Sequence, residues 1–183
     1  MKIFTLTFLT CFVLSQTFSQ TQRKLSTYIL GQYNNTLNDF TAGINPWALG
    51  VGLQAFYNNK SKFRPTLELS RDIYLYDDKV MRFVSVNPDG SFSGAIDRVS
   101  TMVNLFAGAA FQLEPSVYLS FVAGPSCIGK QTLLGVKPSI GFYLSEKQRW
   151  TAKVSYINVF NRAPEAKKGD FGSLSVGIGL KLF

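Results

Sequence analysis

The chain has 183 residues, 46% of them hydrophobic, with 19 Lys and Arg against 11 Asp and Glu for a formal net charge of +8, and it contains no histidine. That length suits one domain, and the missing imidazole excludes a Ser-His relay. No stretch approaches the ~20 uninterrupted apolar residues that a membrane-crossing helix needs.

Residues 1–19 read as a secretory signal. Met1-Lys2 supply a positive charge, an apolar run covers residues 3–14, and small and polar residues lead to a cut after Ser19, with Thr17 three places upstream. Residues 20–183 then form a single mature domain. Cys11 lies inside the signal, where Phe8-Leu9-Thr10 makes a poor lipobox. Cys127 is therefore the one cysteine left, which rules out an intramolecular disulfide and reads as a small apolar filler rather than a reactive thiol. The basic charges are dispersed and the chain is exported, so nucleic acid is not a partner.

From there the pattern has period two, as an extended chain with one apolar face requires. The first strand, about 24–34, is ambiguous in its apolar face. The second sets Trp47, Leu49, Val51, Leu53, Ala55 and Tyr57 against Ala48, Gly50, Gly52, Gln54 and Phe56. In the third, starting at Phe63, Leu67, Leu69, Ile73 and Leu75 oppose Thr66, Glu68, Ser70 and Asp72. The fourth, from Val99 to Leu113, places Val103, Leu105, Ala107 and Phe111 against Asn104, Gly108 and Gln112. The fifth has Val117, Leu119, Phe121 and Ala123 opposite Tyr118, Ser120 and Gly124, and the sixth has Leu134, Val136, Pro138, Ile140 and Phe142 opposite Gly135, Lys137, Ser139, Gly141 and Tyr143. Trp150, Ala152, Val154 and Tyr156 mark the seventh; Leu174, Val176, Ile178, Leu180 and Leu182 mark the eighth.

Short turns at 58–62, 114–116 and 145–148 alternate with longer loops at 35–45, 77–98, 125–131 and 161–170. Eight strands allow closure with antiparallel neighbours throughout, and this alternation places both termini on one side. The predicted fold is all-β: an eight-stranded antiparallel up-and-down transmembrane β-barrel. A soluble lipocalin-like barrel would need a water-facing surface rich in Lys, Glu and Thr. Here the second face is mostly Gly, Ala and Ser, which suits a crowded lumen.

The signal, the eight-strand rhythm, the loop alternation and the terminal Gly-Leu-Lys-Leu-Phe resemble the small eight-stranded outer-membrane β-barrel proteins of Gram-negative bacteria, such as OmpX and the membrane domain of OmpA. One departure stands out. The stripe Val176, Ile178, Leu180 and Leu182 is out of phase with the final Phe183. The resemblance implies residence in the cell outer membrane with both termini periplasmic, outer-membrane lipids as partners, and no cofactor.

Residues of interest follow from the faces. Trp47, Tyr57, Trp150 and Phe160, near strand ends, suit interfacial girdles. Glu68, Asp72, Lys137, Lys153 and Lys181 fall on the inward face and form a predicted lumen charge network with Gln54, Asn104 and Gln112, because buried charges must be paired. Arg71 breaks an apolar face near the outer end: either it reaches lipid phosphates or a local bulge turns it inward. The end that holds the short turns and the termini, periplasmic in this topology, carries a basic excess (Arg23, Lys24, Lys60, Lys62, Arg64, Lys147 and Arg149 against Glu114 and Glu146), whereas the longer loops are balanced. In the longest loop, Phe83 leads to Asn87-Pro88-Asp89-Gly90, a turn signal. It predicts an external hairpin whose edge could take up a protein partner.

No metal cluster, phosphate loop or nucleophile elbow is visible. A carboxylate-only site from Glu68 and Asp72 is the last remaining enzymatic reading. The leading expectation is a non-enzymatic barrel with a side-chain-filled lumen and an external hairpin for surface contacts or envelope integrity. The alternatives are a narrow porin-like channel or ligand-carrying barrel, and an accessory subunit of an envelope secretion or transfer machine.

Overall fold

Each β-strand sends alternate side chains to opposite faces, and here that alternation separates an apolar exterior from a polar lumen. The structure, a computed structural model, describes residues 24–37, 46–59, 61–75, 85–86, 92–93, 101–129, 131–145, 147–161 and 170–182. The signal segment and the hairpin residues Phe83, Asn87, Pro88, Asp89 and Gly90 lie outside them.

The strands are β1 (Leu25–Thr36), β2 (Trp47–Tyr57), β3 (Phe63–Leu75), β4 (Ser85–Val86), β5 (Phe92–Ser93), β6 (Thr101–Glu114), β7 (Val117–Ile128), β8 (Gln131–Tyr143), β9 (Trp150–Val159) and β10 (Phe171–Lys181). Eight of them close into an antiparallel barrel in the order β1-β10-β9-β8-β7-β6-β3-β2. β4 and β5 pair separately, Ser85 with Ser93 and Val86 with Phe92. The closing seam joins β1 to β10 from Tyr28–Lys181 to Thr36–Ser173. The end holding Leu25 and Lys181 is called the terminus end below, and the opposite one the loop end.

The exterior is apolar. Val51, Leu49 and Ile178 are each more than half exposed, at 62%, 55% and 55%, as sidewalls facing hydrocarbon are. β1, whose faces the sequence leaves ambiguous, turns Tyr28, Leu30, Gln32 and Asn34 inward and Ile29 and Tyr33 outward. Both faces are chemically mixed because the lumen needs apolar plugs as well as polar groups.

The predicted loop at 125–131 is a correction. β7 continues to Ile128, β8 begins at Gln131, and their pairing is unbroken from Val117–Phe142 to Ile128–Gln131. The turn between them uses Gly129 at φ 58°, a left-handed conformation that glycine adopts without steric cost. Pro125 reads as the start of a loop, yet Gly124 and Pro125 interrupt only one ladder. They pair with Gly135 and Leu134 of β8, while the β6–β7 register passes from Asn104–Ser126 to Ala107–Ala123 without them.

Candidate functional site

The lumen is built in three tiers. At the loop end, Ala48, Tyr74, Met102, Ile128, Ile157, Val159 and Phe171 form a buried apolar cluster against which Leu133 packs. Tyr74 meets Phe171 edge to face at 5.4 Å between ring centroids. At the terminus end, Tyr28, Leu30, Phe56, Ala110, Tyr118 and Tyr143 form a second cluster, with Phe56 and Tyr118 crossed at 5.4 Å and 78°. Such edge contacts align ring hydrogens with ring faces.

Between the plugs lies a charged belt. Glu68 projects from β3 toward β8 and β9, and in the ring order β9 stands directly opposite β3. Its carboxylate pairs with Lys137 through one oxygen and with Lys153 through the other, the latter at 2.7 Å. All three side chains are buried. The Lys137 ammonium also donates to Gln32 Oε1 and the Lys153 ammonium to Gln54 Oε1, each at 3.5 Å. Gln32 in turn donates through Nε2 to Asp72. Asn34 donates to the same Asp72 oxygen at 2.7 Å, and Asn104 to the other at 3.2 Å. Two carboxylates and two ammonium groups are thus tied into one chain of contacts across the lumen.

Room for the belt comes from the facing wall. Ser120, Ser139, Ser155 and Ser175 are in register on consecutive strands β7 to β10, all inward and buried. Short side chains on that wall accommodate the long Gln32, Gln54 and Glu68 from the other, a large-against-small filling typical of small barrels. The same logic applies at Gly141, where an added Cβ would lie 2.1 Å from the Tyr118 ring. Gly141→Val is therefore expected to cost ~1–3 kcal/mol by overpacking, seen as a lower urea midpoint for the folded band. An unchanged midpoint would show the terminus-end plug to be loosely packed.

The predicted network residues therefore fall in different places. Glu68, Asp72, Lys137 and Lys153 meet in the belt, joined by Gln54 and Asn104. Lys181 is the last residue of β10, in register with Tyr28 at the terminus end and half-buried, while Glu68 pairs with Lys137 and Lys153. Gln112 is not in the lumen tier either: it donates to the backbone carbonyls of Glu114 and Val117 around the β6–β7 turn.

Arg64, grouped by sequence with the basic residues of the short-turn end, is buried inside the terminus-end plug. Its guanidinium lies 4.8 Å from the Phe56 ring centroid and within 6 Å of those of Tyr118 and Tyr143, and it donates to the Tyr143 hydroxyl at 2.9 Å. Stacking on ring faces is a favourable setting for a weakly hydrated guanidinium. Sequence reasoning missed Gln32, Asn34 and Arg64, whose only signal was their parity with inward neighbours.

The remaining basic turn residues that are described, Lys24, Lys62, Lys147 and Arg149, are exposed at the terminus end. Trp47 points outward at the loop end, stacked with Tyr33 at 6.2 Å. Tyr57 and Trp150 point outward at the terminus end, and Phe160 is half-buried just beyond β9 at the loop end. Cys127 is exposed on the outer face beside Thr132. Arg71 points outward, since β3 keeps unbroken register with β2 and β6 through it. Within the belt the charges face one another, while Asn34 Oδ1, Gln54 Nε2 and Asn104 Oδ1 are buried without a hydrogen-bond partner among the described residues.

No family model matches the sequence, and no curated protein does. The fold is shared with solved transmembrane barrels. A de novo designed transmembrane β-barrel superposes with a TM-score of 0.51 at 11% identity, covering 86% of this chain and 95% of the other. Ail, the attachment invasion locus protein of Yersinia pestis, superposes with a TM-score of 0.51 in complex with the heparin analogue sucrose octasulfate, at 12% identity over 86% of this chain and 98% of Ail. In a phospholipid bilayer nanodisc Ail gives the same TM-score at 14% identity, over 86% and 99%. At such identities the likeness establishes the architecture: a closed eight-stranded antiparallel barrel of the transmembrane kind.

Proposed function

We propose that this chain is a non-enzymatic integral barrel of a bacterial outer membrane, with its terminus end toward the periplasm and its lumen closed. The loop end, including the β4–β5 hairpin, is then the surface that meets partners. The observation that carries this reading is the inversion of polarity across one sheet: exposed Leu, Val and Ile outside, paired charges inside. A water-soluble barrel of this sequence would bury an ion-pair belt and expose its hydrocarbon, which reverses what the hydrophobic effect rewards. Aromatic residues at both outward rims support the same reading.

The two plugs favour a structural or contact role over a channel. An ion would have to displace the Tyr74–Phe171 cluster at one end and the Arg64–tyrosine cluster at the other. Against an enzymatic role stands the coupling of every belt carboxylate to donors within the barrel.

The test is fractionation with gel mobility, unheated against boiled. Recovery in the outer membrane with a heat-dependent shift is the expected result; recovery as a soluble periplasmic protein without a shift refutes the reading. In planar bilayers the purified barrel is expected to leave the current at baseline, and steady single-channel steps would overturn the closed lumen.

A further inference from the structure

We propose that the outer face around Arg71 is a binding site for one phosphate-bearing lipid of the leaflet at the loop end, its phosphate on the guanidinium and a chain in the recess beneath. This rests on the reading of the outer face as lipid-facing. Thr66, Glu68, Ser70 and Asp72 all point into the lumen, so the pleat sends Arg71 outward. Among the described outward positions of the eight barrel strands, Arg71 is the one charged side chain apart from Glu114 at the last rung of β6. It makes no ion pair among the described residues.

The position is costly if left bare. Arg71 lies four residues below Leu75, the loop-end terminus of β3. At ~3.4 Å per residue and a strand tilt near 40°, that is about 10 Å inside the strand end. A lipid-facing arginine is destabilising at the midplane and less so toward the interface, so this one needs either a stretched side chain or an anion brought to it.

The surface around it is shaped to bring one. Arg71 pairs in register with Val51 and Val103, and Gly31 lies beyond Val51 in the same row. Gly31 presents no side chain, and an added Cβ there would meet nothing within 4 Å. Beneath the guanidinium is a shallow, open recess of about 400 Å³ lined by Ile29, Val51, Leu53, Leu69, Arg71 and Val103. A groove of hydrocarbon with one cation on its rim complements an amphiphile with an anionic head. Guanidinium binds phosphate through paired N–H donors, and the recess beside it is lined almost wholly by apolar surface, as an acyl chain requires.

The experiment uses the full mature barrel folded into phosphatidylcholine vesicles doped with either phosphatidylglycerol or a neutral galactolipid of matched chains. The protein is released into mild detergent and its retained lipid is counted by native mass spectrometry. The parent is expected to retain phosphatidylglycerol about tenfold over the galactolipid, as a charge-assisted contact allows, and Arg71→Leu to erase that preference. Val51→Trp keeps the cation but fills the recess, and is expected to lower retention as well. Equal retention of both dopants by the parent, or an unchanged preference in Arg71→Leu, overturns the site. The heat-dependent mobility shift is read on every sample: its loss in the parent refutes the membrane reading itself, whereas its presence with no lipid preference refutes only the site.

Discussion

Replacing Glu68 with Gln is expected to remove most of the folded, heat-modifiable barrel under conditions where the parent folds fully. Its carboxylate is the shared partner of two buried ammonium groups from β8 and β9. The substitution leaves Lys137 and Lys153 facing a neutral amide inside a closed lumen. Breaking a buried pair from one side costs ~3–5 kcal/mol, a large share of the ~5–15 kcal/mol that separates a typical folded protein from its unfolded chain. Because β9 lies across the ring from β3, the loss also unties two facing walls. The control is the triple variant Glu68→Leu, Lys137→Met, Lys153→Met, which removes all three charges at similar volume. It is expected to fold as well as the parent or better, since apolar replacements of buried ion pairs are often neutral or stabilising. Urea titration in vesicles, read by gel mobility, decides it. A Glu68→Gln midpoint equal to the parent's would mean that the belt is hydrated rather than sealed.

The second large effect concerns the outside. Val176 is the central residue of β10, outward and half exposed, so Val176→Arg places a charge near the middle of the apolar band. The expected cost is ~2–4 kcal/mol in a bilayer. The sign is what matters: on a water-facing strand the same substitution would be neutral and would improve solubility. Vesicle-folded protein showing a lower urea midpoint supports the lipid-facing assignment, and an unchanged midpoint contradicts it. Arg71→Leu, on the same face, is expected to move the other way in vesicles lacking anionic lipid.

The architecture was legible where one face of a strand is chemically uniform. β2, β3, β9 and β10 alternate so regularly that inward and outward residues could be assigned from spacing alone. It was not legible in β1, where Tyr28 and Leu30 had to be apolar and inward to build the plug, while Thr27, Gly31 and Asn35 sit outside among aliphatics. The 125–131 segment failed for another reason. Gly and Pro punctuate most chains, but Pro125 here points outward in a strand and forfeits only one hydrogen bond. Of the belt, the charged members could be named from face parity. That Glu68 rather than Asp72 would hold both lysines could not, because strand stagger around the ring decides which inward rows come level. The box around Arg64 was hidden for the same reason, its walls arriving from β2, β7 and β8.

The seam between β1 and β10 has a consequence for how the molecule comes into being. Its rungs join residues near 30 to residues near 178, so the first strand waits for the last. An unclosed sheet would hold a row of bare amides and carbonyls against hydrocarbon, where each costs several kcal/mol. Every open sheet therefore carries two unpaired edges, a cost that only the rungs between β1 and β10 remove. Long-range closure also slows the search for the native pairing. Closure of that one seam, which needs both ends of the chain, is the step that ties the whole ring into a cooperative unit.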